Sequence, residues 1–169
     1  MAAAILQQRL AERGVDARVT SAGTMPWSSG ATAPAVEVMR EHGLDISDHE
    51  NRQVTRELVE KADLVLGMTR DHVSIAIARS PSARGRAFLV GELARLGAEV
   101  GPRGATEPPA RWAERAAAAR PQRRPLGRAV DEVADPVGEP IDFYRRTAAE
   151  LDDRLTEIAA LLAGVPTLA

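Results

Sequence analysis

ADLVLGM, residues 62–68, is an apolar run of strand length set between two helical stretches. Leu64, Val65 and Leu66 follow one another without a polar break, which predicts a strand covered on both faces, as in a parallel sheet. Downstream, residues 70–79 predict a helix with Val73, Ile75, Ile77 and Ala78 inward, and RAFLV (86–90) predicts another strand. Upstream, TRELVEKA (55–62) predicts a short helix capped by Thr55. A helix over 34–42 is opened by Pro34 and ended by Gly43. ARVTS (17–21) predicts a short strand, and AAAILQQRLAER (2–13) predicts a helix that Gly14 stops. The clearest helix is 141–163, where Phe143, Tyr144, Ala148, Leu151, Leu155, Ile158, Leu161 and Leu162 recur at helical spacing. Strands alternating with helices in this way predict an α/β fold, a parallel sheet with helices on both faces.

The 169 residues suit one domain with one core. Hydrophobic residues make up 44% and charged residues 27%, the ordinary range for a soluble globular chain. A net charge of −2 implies no strong pull toward nucleic acid or membrane, and no apolar run approaches the length that spans a bilayer. With no basic segment leading into an apolar one, no secretory signal is expected, and the default location is cytoplasmic. There is no cysteine, which excludes disulfides, thiolate metal sites and a cysteine nucleophile within these residues. One stretch stands apart. Residues 93–130 are rich in Pro, Gly, Ala and Arg and hold eight Arg against three Glu, a local charge of +5 that leaves about −7 elsewhere. A stretch of this length and composition reads as an insertion, mobile or partly disordered, with one helix inside it at 109–119 and Trp112 docking it on the body. Its arginines read either as a solvated basic face or as a surface for an anionic partner. No aromatic interleaving suggests single-stranded nucleic acid.

Five segments, in order, resemble the low-molecular-weight protein-tyrosine-phosphatase family: VTSAGT (19–24), EVMREHGLDISDHENRQVT (37–55), ADLVLGMTRDH (62–72), RAFLVGEL (86–93) and DEVADPVGEPIDFYRRTAAELDDRL (131–155). The resemblance implies a three-layer α/β/α sandwich and hydrolysis of phosphate monoesters, phosphotyrosine in protein above all, through a cysteinyl-phosphate, with no metal and no cofactor. It also implies an opening strand and a phosphate loop, Cys-x5-Arg followed by Ser-Pro, which in the family lie between two other strands and lead into the first helix. This chain starts where that helix starts, so the first strand, the cysteine and the loop arginine are absent from it. The expectation is a reading frame that opens upstream of Met1, with a genuine truncation as the alternative. As written, the chain is expected to be inactive. Two roles then compete: phosphatase acting on a phosphoprotein in a longer form, or non-catalytic pseudophosphatase that binds an acidic partner.

By the same resemblance Asp135, in ADPVG, is the general acid and later the base, whereas the plain reading of Asp-Pro-x-Gly is a turn. Val137 stands where the family carries an aromatic residue beside the substrate ring, and a valine offers less stacking surface. Trp27 falls at an aromatic wall of the substrate site, or else caps the edge of the core. Ser21 and Thr24 border the phosphate loop, or serve ordinary turn chemistry at a strand end. Asp45, Asp48 and His49 sit close together, but no second His falls at ligand spacing and a surface loop is the expectation. His72 reads as a helix-start residue and Arg52 as an anchor of its loop through an ion pair. Phosphoarginine specificity would rest on the absent loop. Nothing in the chain speaks to oligomeric state.

Overall fold

The computed structural model describes residues 1–25, 30–121 and 126–164. Seven α-helices and two strands follow one another along these residues, with short 3-10 turns at Pro81–Gly85 and Ala129–Asp131: α1 Ala2–Ala11, α2 Ala33–Glu41, α3 Arg56–Lys61, β1 Val65–Gly67, α4 Arg70–Arg79, β2 Ala87–Leu89, α5 Val90–Val100, α6 Pro109–Ala118 and α7 Ile141–Ala163. The strands β1 and β2 pair in parallel, Val65 opposite Ala87, Leu66 opposite Phe88 and Gly67 opposite Leu89. Because side chains alternate along a strand, Leu66 and Phe88 enter the core formed with α1, α5 and α7. Val65, Ala87 and Leu89 enter a second core with α3 and α4. The sheet therefore carries a helical layer on each face, the α/β arrangement the alternation predicts.

Threonine caps open two of the helices. Thr55 accepts from the Leu58 amide at 3.2 Å to cap α3, and Thr69 accepts from the His72 amide at 3.4 Å to cap α4. Gly67 lets α4 close on β1, since a Cβ there would stand 2.9 Å from Val73 Cγ2 and 3.0 Å from His72 Cβ. In α4 the inward set is Val73, Ala76 and Ile77; Ile75 is half-buried and Ala78 is exposed. Ala76, not Ala78, stands one turn from Val73, so helical spacing selects it.

Two expectations need correction. Residues 17–21 join no ladder, although Val15, Ala17 and Val19 point inward and Asp16, Arg18 and Thr20 outward, the alternation of a strand. Their backbone is satisfied instead by a side chain: Gln7 of α1 donates Nε2–H to the Ala17 carbonyl and accepts the Val19 N–H at Oε1, both at 2.9 Å. The second concerns 93–130. Val90–Val100 are one helix with Val90, Leu93, Ala94 and Leu96 buried, and Pro109–Ala118 another with Trp112, Ala113 and Ala116 buried. Most of the described part of that stretch is thus packed helix rather than a mobile flap. Trp112 is wholly buried and donates Nε1–H to the Gly101 carbonyl at 3.0 Å, the docking expected of it.

The helix α7 packs along α1, α2 and α5. Its contact with α1 is tied by Arg9, whose Nε and Nη2 reach Asp152 at 2.8 and 2.9 Å. That hydrogen bonding holds the Asp152 carboxyl below its ordinary value. A carboxyl depressed in the fold contributes stability that is whole above the unfolded-state value of about 4 and is lost as pH falls through the lower folded value. Urea midpoints measured at pH 7 and pH 3 are therefore expected to differ less in Asp152→Asn than in the parent chain. An equal difference in both would remove Asp152 from the acid response.

Candidate functional site

The extended segment 19–24 and β1 both line a cavity of about 470 Å³. The Val65 amide donates to the Arg86 carbonyl at 2.8 Å, on the β2 side. In a parallel ladder the next residue directs its N–H and C=O the other way, so Leu66 turns its backbone groups away from β2. No backbone hydrogen bond joins 19–24 to β1 among the described residues. The first turn of α1, Ala2 to Ala4, closes one end of the cavity, and His49, Arg52 and His72 also line it.

Ser21 and Thr24 both line this cavity, so the SAGT turn is brought to it. The turn is pinned from one side. Gly23 donates its amide to the Arg52 carbonyl and accepts from the Val54 amide, each at 2.8 Å. Arg52 also donates Nε–H to the Ser21 carbonyl at 2.7 Å. Arg52 thus anchors the turn through a carbonyl rather than through the ion pair expected of it, because the turn offers backbone acceptors and no carboxylate. His49 Nε2 lies 3.1 Å from Asn51 Oδ1, and Asp45 accepts from the Ser47 amide at 2.9 Å while pairing with Arg40 at 3.7 Å. The Ser47 amide is the main cause of a lowered Asp45 carboxyl, which is an Asx turn on the surface. Among the described residues no three His, Asp or Glu side chains gather as metal ligands.

Asp135 and Val137 sit together in a separate turn that does not line the cavity. Asp135 is exposed and accepts the Val137 N–H at 3.0 Å; Val137 is 63% exposed. Trp27 lies outside the described residues. The turn is tethered to the cavity just upstream, where the Val133 amide donates to the carbonyl of Met68, a lining residue, at 2.8 Å. Glu132 Oε1 accepts from both the amide and Nε of Arg70 at 2.9 Å, and the Arg70 amide is the main cause of its lowered carboxyl. Asp131 is buried among Arg95 and Arg128. Burial pushes its carboxyl up, but the hydrogen bonds from those arginines prevail and hold it low. Sequence reading passed over Gln7, Arg70, Arg154 and Glu132 altogether. Their partners are mostly backbone groups, which leave no residue signature.

The described arginines of 93–130 have partners within the fold. Arg95, Arg111, Arg115, Arg120 and Arg128 pair with carboxylates, and Arg103 donates to the Leu162 and Glu107 carbonyls. No helix among the described residues is long and apolar enough to cross a membrane.

Residues 1–96 match the model of the family described as low molecular weight phosphotyrosine protein phosphatase. The chain is 45% identical over 94 residues to a probable low molecular weight protein-tyrosine-phosphatase, EpsP, of Ralstonia solanacearum, covering 55% of this chain and 62% of that protein. It thus spans about three fifths of that relative's length. It is 28% identical over 163 residues to a protein-arginine-phosphatase of Bacillus subtilis, covering 96% of this chain and 87% of the relative. Among solved structures it is similar to a low molecular weight protein tyrosine phosphatase from T. tengcongensis (28% identity, TM-score 0.69, 95% of this chain and 88% of that one). It is also similar to a YwlE mutant from Bacillus subtilis (28% identity, TM-score 0.68, 94% and 86%).

Proposed function

The chain belongs to the low molecular weight phosphotyrosine protein phosphatase family, and from that premise we propose that it is the scaffold of a phosphomonoesterase acting on a phosphorylated protein side chain, phosphotyrosine first, and that these 169 residues do not turn over by themselves. The carrying observation is chemical: the residues include no cysteine. In the proposed reaction a thiolate attacks phosphorus, the phosphorus–oxygen ester bond breaks, and Asp135 protonates the leaving oxygen. Water then attacks the thiophosphate while Asp135 takes its proton. Without a thiolate the first bond never forms, and Asp135 has no leaving group to protonate. The cavity between 19–24 and β1 supports this reading, since it lies where the resemblance places the strand and loop that bear the thiolate, at the N-terminal end of a helix suited to an anion. Asp135 lies two residues beyond a tether to the same rim. Val137, where the resemblance places an aromatic residue beside the substrate ring, offers an aryl phosphate only a small aliphatic side chain.

The codons ahead of Met1 test the proposal. An open frame encoding a strand and Cys-x5-Arg-Ser-Pro is the expected result. A stop directly before Met1 would remove the enzyme reading and leave a phosphatase-like binding protein. That second role loses part of its support on its own account: Arg95 and Arg120 are engaged in largely buried ion pairs within the fold, while Arg111 stays exposed.

A further inference from the structure

Arg154 stands on α7, near its middle, and reaches the stretch that leads into Asp135. Its Nη2 donates to the Val130 carbonyl at 3.1 Å, and its Nη1 to the carbonyls of Asp131 and Glu132 at 3.1 and 3.2 Å. One planar guanidinium therefore takes three successive carbonyls, which fixes both the place and the direction of that backbone. The guanidinium also pairs with the half-exposed Glu150, one turn back on α7, at 2.7 Å.

The fold makes room for this contact. At Gly91, in the first turn of α5, a Cβ would stand 2.7 Å from Arg154 Nη1 and 2.8 Å from the Asp131 carbonyl oxygen. No other residue type lets α5, the Asp131 backbone and the Arg154 side chain meet so closely. Beyond the three carbonyls come the Arg70–Glu132 contact and the Val133–Met68 hydrogen bond, and then Asp135. The span from 134 to 139 is a turn held by its own groups, Val137 N–H to Asp135 and Glu139 N–H to the Pro136 carbonyl at 3.0 Å. That turn is held between the contacts at 130–133 on one side and the start of α7 at Ile141 on the other.

We infer that Arg154 is a positioning residue for Asp135: by holding the carbonyls of Val130, Asp131 and Glu132 it sets the course of the backbone that is tied to Met68, just beyond β1, and leads on to Asp135. Its bearing on catalysis rests on the phosphatase reading above, but its effect on the turn does not. Amide NMR on the intact chain separates the two. In Arg154→Gln the Val133 amide is expected to exchange about tenfold faster and the Val137 amide resonance to move, while Leu155 and Ile158 on α7 keep their exchange rates. Glu150→Gln, which leaves the three carbonyl contacts in place, is expected to change neither signal. Gly91→Ala, which crowds both the guanidinium and the Asp131 backbone it holds, is expected to move the same Val133 and Val137 signals. The proposal is overturned if Arg154→Gln leaves Val133 and Val137 as in the parent chain, or if all amides accelerate together, because Arg154 then only stabilises α7. None of these readouts requires turnover, so an inert chain does not count against it.

Discussion

Arg120→Ala is expected to destabilise the fold by about 3–5 kcal/mol, the usual loss when one partner of a buried ion pair is removed. The side chains of Arg120 and Glu92 are only 9% and 1% exposed and meet through two bonds, Nε to Oε1 at 2.9 Å and Nη2 to Oε2 at 3.0 Å. The same guanidinium lies 4.1 Å over the Phe88 ring and donates to the carbonyls of Ala87 and Arg84. Glu92 in turn accepts from the Leu89 amide at 3.4 Å. Between them the two side chains cover the edge of β2 that faces away from β1, an edge that would otherwise offer bare ladder groups. Truncating Arg120 leaves a buried carboxylate, an orphaned carbonyl and an uncovered ring together. The urea midpoint should fall steeply, while Arg120→Met combined with Glu92→Leu should recover most of the loss, since both charges then leave the interior. A loss under about 1 kcal/mol for Arg120→Ala would mean that water solvates this pair.

Trp112→Ala is expected to cost a similar amount, about 3–5 kcal/mol, through the cavity it leaves. Its ring lies so close to α5 that a Cβ on Gly97 would meet two ring carbons at 3.0 and 3.2 Å. The Gly101 carbonyl also loses its donor. Trp112→Phe keeps most of the volume and should cost much less. If the alanine variant unfolded at the parent midpoint, α6 would be an appendage rather than part of the core.

Of these two residues, Trp112 was legible in the sequence as a docking residue and the buried Arg120–Glu92 pair was not. The run 62–68 and the spacing of 141–163 predicted β1 and α7 because burial on both faces, or along one stripe, shows directly in residue type. The helix α6 was legible at 109–119, with Trp112 docking it; its packing into the core was not, since beside Trp112 its buried face is Ala113 and Ala116, and alanine is a weak hydropathic signal. Residues 17–21 have a strand's alternation, yet a ladder needs a neighbour, and here Gln7 takes that place. The SAGT and ADPVG turns were legible as motifs, and the structure puts the first on the cavity wall and the second in an Asx turn. What sets the second turn, a guanidinium on three carbonyls, was not legible, since any sequence supplies carbonyls.

The most direct measurement of the central claim is hydrolysis of p-nitrophenyl phosphate by the purified 169 residues beside Asp135→Ala. With no thiolate to open the reaction, both proteins are predicted to run at the same background rate. A clear excess in the parent chain, abolished by Asp135→Ala, would contradict the account, because Asp135 would then be serving a nucleophile other than cysteine.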